Sequence, residues 1–269
     1  PQPIPATRPA RPENSLSNCV CLANKGLSLA MSEVRLSKLM SERGLCSRRE
    51  ADRLIETGQV FVDGVAITQL GTRISPDSEI TLSAAARQKS NRLITIILNK
   101  PPGYVSGQAE RGYPDAVSLI TRSNQYGPKD GQLARLGSLN VAGRLDIDSS
   151  GLLVLTQDGR VARQLIGPNS KIKKSYRVKV HGHITPNCLE QLRFGLELDG
   201  RTLRRATVQQ TGEDGLLFEL VEGRKRQIRR MCQAVGLDVR TLHRNRVGRI
   251  KLGQLPRGCW RFLSTSESF

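Results

Sequence analysis

The sequence lacks the long apolar runs and the signature motifs that define several large protein classes. No apolar stretch approaches the roughly 18–20 residues that a membrane span requires. Gly-x-Ser-x-Gly, Walker and dinucleotide-binding glycine motifs are absent. The six cysteines form neither a Cys-x-x-Cys pair nor a Cys/His series with zinc spacing. These absences argue against a membrane protein, a serine hydrolase, a nucleotide-binding enzyme and a zinc protein.

The cysteines and the three histidines also give no positive sign of a metal or redox site. Cys232 follows Met231 on an apolar helical stripe, which predicts a core position. Unpaired thiols are typical of a reducing cytosol, so we expect a cytoplasmic protein. His181 and His183 could bind a metal, but an exposed strand end accounts for them better. We therefore expect no metal and no cofactor.

The sequence has few acidic residues for its many basic ones. It carries 42 Lys and Arg against 24 Asp and Glu, a net charge of +18 and a pI near 10.4. Residues 84–269 hold 32 of the bases and 15 of the acids, a net charge of +17. Solubility alone requires a net charge of only about 2–8, so the excess indicates a polyanionic partner. Nucleic acid is favoured over an acidic membrane surface, which stays open as the alternative.

The first residues give no folding signal. Four prolines occur among the first nine residues, and residues 1–32 are predicted to be disordered. The stretch before Met31 is too interrupted by Asn24, Lys25 and Gly26 for a secretory signal peptide. Our hypothesis is that Met31 is the natural start.

Residues 33–83 predict a small helical and β-hairpin unit. An apolar stripe that ends near Gly44 precedes a second helix, which begins at Ser47 with Glu50 completing a capping box and Gly58 as its stop. "VFVDGVAI" predicts a hairpin with an Asp63-Gly64 turn. This order of elements resembles the S4 domain, a small RNA-binding module. The resemblance implies RNA contacts for the basic residues of the second helix and the turn before it: Arg43, Arg48, Arg49 and Arg53.

Residues 84–92 show no periodic apolar pattern and are interpreted as a linker. Residues 93–266 then predict a second unit in which short strands alternate with helices. Helices are predicted near Asp158, from Thr185-Pro186, and after Gly223 with a stop at Gly236. The strands are predicted at 93–98, 152–156, 175–180, 206–211 and 216–221. The fold class is therefore α+β, with a mixed and largely antiparallel sheet.

The stretch "GRKRQIRRM" (223–231) is suited by composition to contact phosphate. Five cationic side chains at a helix start combine charge with the positive end of the helix dipole. Arg229 adjoins apolar Ile228 and Met231 and should turn partly inward, where an unpaired guanidinium is unfavourable. It therefore needs an anion, and Asp146 is a candidate.

Three further stretches, in order, complete a recognisable set: "ILNKPPGYVS" (97–106), "GRLDIDSSGLLVLT" (143–156) and "KKSYRVKV" (173–180). Together with "GRKRQIRRM" and the S4-like unit, they make residues 34–265 resemble the RsuA/RluB/RluE/RluF family of S4-domain ribosomal RNA pseudouridine synthases. "RKRQIRRMCQAVG" is most similar to the RluF-like branch, which acts on large-subunit (23S) ribosomal RNA.

The resemblance implies a role for each matching residue. Asp146 is the nucleophile, Arg229 pairs with it, and Tyr176 packs on the base and relays a proton. Arg144 helps hold the target nucleotide out of the RNA helix, whereas Asp148 is read as incidental. Other basic residues of the motifs are assigned to substrate or RNA binding: Lys100, Arg224, Lys225, Arg226 and Arg230.

The chemistry is consistent with these roles and leaves some choices open. Isomerising uridine breaks N1–C1′ and joins C5 to C1′ without oxidation or hydrolysis, so no cofactor is needed. An ionised carboxylate could attack C1′ or C6 or remove a sugar proton, and the base must first be flipped out of its stack. The alternatives are a synthase acting on small-subunit ribosomal RNA or transfer RNA, a non-catalytic RNA-binding or ribosome-assembly protein, and a DNA-binding regulator. No leftover apolar stripe suggests a dimer seam, so we expect a monomer.

Overall fold

The N-terminal region folds around an apolar core of its own. A computed structural model describes residues 32–107, 112–128 and 137–269; the predictions made for residues 1–31, including Met31, lie outside them. The buried side chains of this core come from both helices and the hairpin that follows. In chain order the elements are β1 (Val34–Arg35), α1 (Leu36–Glu42), α2 (Arg48–Glu56), β2 (Val60–Val62), β3 (Val65–Ile67), β4 (Arg73–Ile74), β5 (Ile80–Leu82) and α3 (Ala84–Ser90).

The local signals for α2 and the hairpin are confirmed. Ser47 Oγ accepts a hydrogen bond from the Glu50 amide at 3.2 Å, which satisfies one of the free amides at the helix start. Gly58, one residue past the C-cap, has φ +66°, the left-handed conformation that a glycine stop provides. Asp63 and Gly64 both have positive φ, as a two-residue hairpin turn between β2 and β3 requires.

The segment predicted to be a linker forms helix α3 instead. Ser83 caps it by accepting a hydrogen bond from the Ala86 amide at 3.1 Å, and Ala86 is buried in the N-terminal core. Only this one apolar side chain faces inward, so the segment has no hydrophobic stripe to reveal it. Its helical state follows from a good cap and three consecutive alanines.

A large mixed sheet organises the C-terminal region. Its strand order is β12-β13-β9-β14-β8-β6-β16, and every pairing is antiparallel except that of β14 with β8. The predicted α+β class with a largely antiparallel sheet is confirmed. The strands are β6 (Thr95–Lys100), β7 (Asn140–Val141), β8 (Ser150–Thr156), β9 (Lys174–His181), β10 (Glu197–Leu198), β11 (Arg201–Thr202), β12 (Thr207–Gln210), β13 (Gly215–Leu220), β14 (Asp238–Val247), β15 (Ile250–Lys251) and β16 (Trp260–Phe262).

Strand β14, the longest in the sheet, was not predicted from the sequence. Its letters, DVRTLHRNRV, carry four charged side chains besides a histidine and resemble a surface loop in composition. It nevertheless lies in the middle of the sheet between β9 and β8. Apolar side chains at Val239, Leu242 and Val247 are buried, and irregular pairing at two points breaks the strict alternation that would have marked a strand.

Helices cover the two faces of the sheet and enclose separate cores. The larger core holds Leu192 of α5 and Ile228, Met231 and Cys232 of α6, which confirms the predicted buried position of Cys232. The smaller core lies on the opposite face of the sheet and holds Leu165 of α4. The helices are α4 (Gly159–Ile166), α5 (Pro186–Arg193) and α6 (Gln227–Ala234), with a 3₁₀ turn at Ala116–Leu119.

The start of α4 contacts the N-terminal region directly. A Cβ at Gly159 would overlap the Cβ of Ser47, so only glycine permits this approach. Arg163 Nη1 donates a hydrogen bond to Ser41 Oγ at 2.7 Å, and Arg160 Nη2 donates one to the Ser90 carbonyl at 3.4 Å. Residues 33–269 accordingly form one compact unit, in which the N-terminal core and the sheet meet at α4.

Candidate active site

Asp146, Tyr176 and Arg229 line one cleft, at the end of the sheet where the β7–β8 loop meets the start of α6. The cleft encloses about 500 Å³ of space, part of it open to solvent. Arg144, Arg224 and Arg226 are among its other lining residues. The three residues predicted to react are thus brought together from three separate stretches of sequence.

The loop that carries Asp146 is fixed on one side by the 97–106 segment. Ser106 Oγ donates a hydrogen bond to the Leu145 carbonyl at 2.8 Å and accepts one from the Leu145 amide at 3.2 Å. The Gly103 amide donates to the Ile147 carbonyl at 2.8 Å. The residues on either side of Asp146 are therefore anchored, while its own carboxylate stays half-buried in the cleft.

Lys100 belongs to this anchor, which corrects its assignment to RNA binding. Its side chain is 0% exposed, so it cannot contact an RNA in this conformation. Its Nζ donates to the carbonyls of Pro101 and Tyr104 at 2.9 Å and of Ile147 at 3.4 Å. Burial lowers the pKa of Lys100 to about 8, although the carboxylates of Asp148 and Asp146 act in the opposite direction.

Arg244 of β14 holds the same loop from the other side. The side chain is 3% exposed and donates to three carbonyls: Nη2 to Gly143 at 2.8 Å, Nη1 to Arg144 at 3.4 Å and Nε to Leu152 at 2.7 Å. A buried guanidinium is stable only with such partners. Sequence reasoning missed Arg244, because the uneven spacing of Val239, Leu242 and Val247 gives no strand pattern that would have placed this arginine inside.

Gly151 explains why the loop and β14 can approach so closely. Its φ is +105°, and a Cβ there would overlap the backbone of Arg244. The glycine of the "DSSGLL" stretch is thus required by packing at the parallel junction of β8 with β14.

Tyr176 forms the floor of the cleft. It lies on β9, is 8% exposed, and packs within the larger core. The guanidinium carbon of Arg244 lies 6.0 Å from the centre of its ring, at the outer limit of a cation–π contact. Tyr176 therefore presents a fixed aromatic surface next to Asp146, suited to stacking against a planar base.

The predicted ion pair between Arg229 and Asp146 is wrong for this structure. Arg229 Nη2 lies 3.2 Å from Asp148 Oδ1 and also donates to the Asp148 carbonyl, while Nη1 donates to the Val239 carbonyl at 3.1 Å. Among the residues that the structure describes, no ion pair within 4.0 Å involves Asp146. The inference that Arg229 turns inward and needs an anion is confirmed, since it is 14% exposed; the anion is Asp148.

Asp148 consequently is not incidental to the site. Its Oδ2 also accepts a hydrogen bond from Arg226 Nη2 at 2.9 Å, so one carboxylate holds two arginines of the cleft wall. Partial burial alone would raise the pKa of Asp148, but the Arg226 hydrogen bond and the charges of Arg229 and Arg226 lower it below its usual range. Arg226 itself adopts a left-handed conformation at φ +51° directly before α6.

The remaining basic residues of the 223–231 stretch differ in availability. Arg224 donates to the carbonyls of Leu198, Arg201 and Thr202 and so braces the β10–β11 hairpin. Arg230 forms a two-point ion pair with Asp199, at 2.7 and 2.9 Å. Lys225 is exposed and, within the described ranges, has no acidic partner within 4.0 Å.

The four arginines predicted to contact RNA in the N-terminal region also differ in whether they have intramolecular partners. Arg43 donates to the carbonyls of Ser78 and Pro76, and Arg53 pairs with Glu50 at 3.0 Å. Arg48 and Arg49 are exposed at the first turn of α2, and no carboxylate of the described residues lies within 4.0 Å of either. Their proposed contact with RNA stays a prediction.

The described residues include no group of three or more His, Cys, Asp or Glu that could hold a metal ion. His181 and His183 are exposed at the end of β9, as predicted. Nor does any helix in residues 32–107, 112–128 and 137–269 have the length and apolarity to cross a membrane. What the cleft offers is a carboxylate, an aromatic ring and several guanidinium groups, which suits nucleophilic or acid–base chemistry on a planar, negatively charged substrate.

Lys100→Met tests the buried ammonium through the pH dependence of stability. The pKa of Lys100 is lower in the folded than in the unfolded chain, so the unfolded state binds more protons between pH about 8 and 10.5. Wild-type stability should therefore rise relative to Lys100→Met across that window, by at most about 1.4 kcal/mol per pH unit. Denaturant unfolding at pH 7.5, 9 and 10 measures the difference.

The matched control for this measurement is Lys89→Met, which removes an exposed lysine of α3. Its stability difference from the wild type should stay constant over the same range, because that side chain is solvated in both states. A constant difference for Lys100→Met as well would contradict the buried-ammonium account.

Comparison with known proteins agrees with the site. The RNA pseudouridylate synthase family model matches residues 94–234 and the S4 domain model matches residues 34–80. The dual-specificity RNA pseudouridine synthase RluF of Escherichia coli O6:H1 is 34% identical over 238 residues, covering 88% of this chain and 77% of the relative. An uncharacterised RNA pseudouridine synthase of Mycobacterium leprae is 35% identical over 252 residues, covering 87% and 90%.

A solved structure described as the crystal structure of pseudouridylate synthase also matches. It aligns with a TM-score of 0.59 at 26% identity, covering 87% of this chain and 97% of that one. These matches confirm the family and the isomerase activity expected from the sequence. The chain belongs to the RNA pseudouridylate synthase family, as an S4-domain member of the RsuA/RluF type that isomerises uridine to pseudouridine in RNA.

Proposed function

We propose that the enzyme modifies a specific uridine of ribosomal RNA, in the large-subunit (23S) RNA, and that Asp146 is the group that attacks the target nucleotide. The observation that carries the proposal is the convergence of Asp146, Tyr176 and Arg229 on one cleft. Asp146 lines the cleft together with Tyr176. Among the described residues, no arginine lies within 4.0 Å of its carboxylate. It is therefore available to a substrate.

The reaction rearranges bonds within one nucleotide. The N1–C1′ bond breaks, the uracil turns, C5 joins C1′, and the proton on C5 is lost while N1 gains one. Asp146 assists the first step by attack on C1′ or C6 or by removing a sugar proton. The proton from C5 must pass to N1 or to solvent, and Tyr176, which lines the same cleft, is proposed to relay it.

Access to the target requires that the uridine leave its stack. Flipping a base costs about a few kcal/mol, which contacts in the cleft must offset. The ring of Tyr176 offers a stacking surface, and base–aromatic stacking contributes about 1–3 kcal/mol per base. Arg144 is exposed at the cleft wall, where its side chain can occupy the space that the base vacates. Arg226 and Lys225 lie at the same end of the site and are placed to contact phosphates.

The assignment to 23S RNA rests on the similarity to the RluF type and on the S4 domain. A synthase acting on small-subunit ribosomal RNA or on transfer RNA is the alternative, and RluF itself is described as a dual-specificity RNA enzyme. A ribosomal RNA target implies action in the cytoplasm. We propose that the protein acts as a monomer, because the sequence leaves no apolar stripe for a dimer seam.

Asp146→Asn should abolish catalysis without abolishing RNA binding. The amide keeps the shape of the side chain but can neither attack nor accept a proton as a carboxylate does, so we expect a loss of about 10³-fold or more in the rate. Complementation of cells that lack the gene, followed by reverse-transcription mapping of pseudouridine in ribosomal and transfer RNA, measures the product.

The same mapping identifies the substrate. One pseudouridine in 23S RNA should disappear on deletion, return with the wild-type gene and stay absent with Asp146→Asn. If the pseudouridine that disappears lies only in small-subunit or transfer RNA, the proposed target is wrong but the proposed role of Asp146 stands. Wild-type modification by Asp146→Asn would contradict the proposed mechanism.

Asp148→Asn should slow the reaction through the two arginines that it holds. Without the carboxylate, Arg229 loses its anionic partner in a half-buried position and Arg226 loses its tether, so we expect a fall in the single-turnover rate of roughly tenfold. Asp148→Glu, which keeps the charge, should recover part of the rate. RNA affinity should change much less than the rate.

Asp199→Asn is the matched control, because it removes the carboxylate that pairs with Arg230 outside the cleft wall. Equal rates for Asp148→Asn and Asp199→Asn would return Asp148 to the incidental role that the sequence first suggested.

A further inference from the structure

The face of the sheet opposite the Asp146 cleft carries a second, larger concavity. Side chains on β9 alternate, so Tyr176 and Val178 enter the larger core whereas Arg177 and Lys179 point to the other face. Two adjoining hollows of about 1150 and 730 Å³, solvent included, share four residues there: Arg177, His243, Asn245 and Arg246. We call this combined feature the reverse-face cleft.

The reverse-face cleft has more positive than negative charge. Glu219 is its acidic lining residue, and it is already paired with Arg246 and, at 3.8 Å, with Lys173. Arg177 and Lys251 are exposed, and no carboxylate in the described part of the chain lies within 4.0 Å of either. Two cations of the lining are therefore left without an acidic partner among the described residues.

His243 lies within the same group of positive charges. Its Nδ1 lies 3.0 Å from Ser150 Oγ, which fixes the ring at the cleft wall. Burial lowers the pKa of His243, and the nearby charges of Arg257 and Arg177 lower it further. The imidazole is thus neutral at pH 7 and offers polar nitrogen without adding charge. The surrounding cations are close enough to oppose a further positive charge, and by the same field they attract an anion.

The free cations of the reverse-face cleft suit a phosphate backbone. Phosphates spaced along a strand of RNA would pair with Arg177 and Lys251, which have no acidic partner within 4.0 Å among the described residues.

We propose that the reverse-face cleft binds the sugar-phosphate backbone of an RNA segment that lies beyond the stem containing the target uridine. The inference rests only on RNA being the substrate, not on which uridine is modified. A lipid surface is disfavoured because the cleft is concave, whereas a membrane surface is broad and flat. The two faces of the sheet would then hold different parts of one long RNA, and that geometry favours large structured substrates over short hairpins.

The test compares two fluorescein-labelled RNA hairpins at several KCl concentrations. The shorter has a stem of 8 base pairs alone, and the longer has the same stem followed by about 30 unpaired nucleotides. The double variant Arg177→Gln/Lys251→Gln should weaken binding of the longer hairpin by about tenfold at low salt. Losing two phosphate contacts should also reduce the slope of log K against log salt by roughly 1.5. Binding of the shorter hairpin should not change.

The control is Arg122→Gln/Lys89→Gln, which removes the same charge from exposed positions outside the cleft. Thr241→Glu, which places an acid in the exposed cleft wall, should reproduce the selective loss on the longer hairpin without deleting a cation. Identical affinity and salt slope for the cleft and control variants would overturn the proposal, and so would an equal loss on both hairpins. Because binding is the readout, either result is independent of pseudouridine formation.

Discussion

The site depends on the fixed position of one short loop. Residues 143–149 carry Asp146 between two strands, and backbone carbonyls on both sides of it accept hydrogen bonds from buried cations. Lys100 bonds the Ile147 carbonyl and Arg244 those of Gly143 and Arg144. These carbonyls help to stabilise each buried cation, and the hydrogen bonds from the cations in turn fix the carbonyls. The Asp146 carboxylate is thereby held in position without an ion pair to any of the described residues.

This arrangement explains how a strongly basic protein keeps Asp146, the proposed catalytic acid, accessible. Most arginines near the cleft have intramolecular acceptors: Arg224 bonds carbonyls, while Arg226 and Arg229 share Asp148. These arginines therefore do not form ion pairs with Asp146. The family assignment and the intact cleft together remove the reading of the chain as a non-catalytic RNA-binding or ribosome-assembly protein.

Much of the fold was predictable because local signals agreed with tertiary structure. The cap at Ser47, the Asp63-Gly64 turn and the buried stripe of α6 each follow from neighbouring residues. Asp146 and Tyr176 were found through motifs, and Arg229 was correctly expected to turn inward. Its partner was not predicted, because two carboxylates lie two residues apart and only the path of the loop decides which one faces the guanidinium. Strand β14, with Arg244, was hidden by its charged composition.

The central claim is that Asp146 reacts because hydrogen bonds to its backbone hold it in place. Arg244→Lys tests this most directly, because lysine keeps the positive charge but cannot reach the carbonyls of Gly143, Arg144 and Leu152 together. The measurement is the single-turnover rate of pseudouridine formation on total RNA from cells lacking the gene. The account predicts a fall of about tenfold or more with RNA affinity unchanged. A wild-type rate in Arg244→Lys would contradict it.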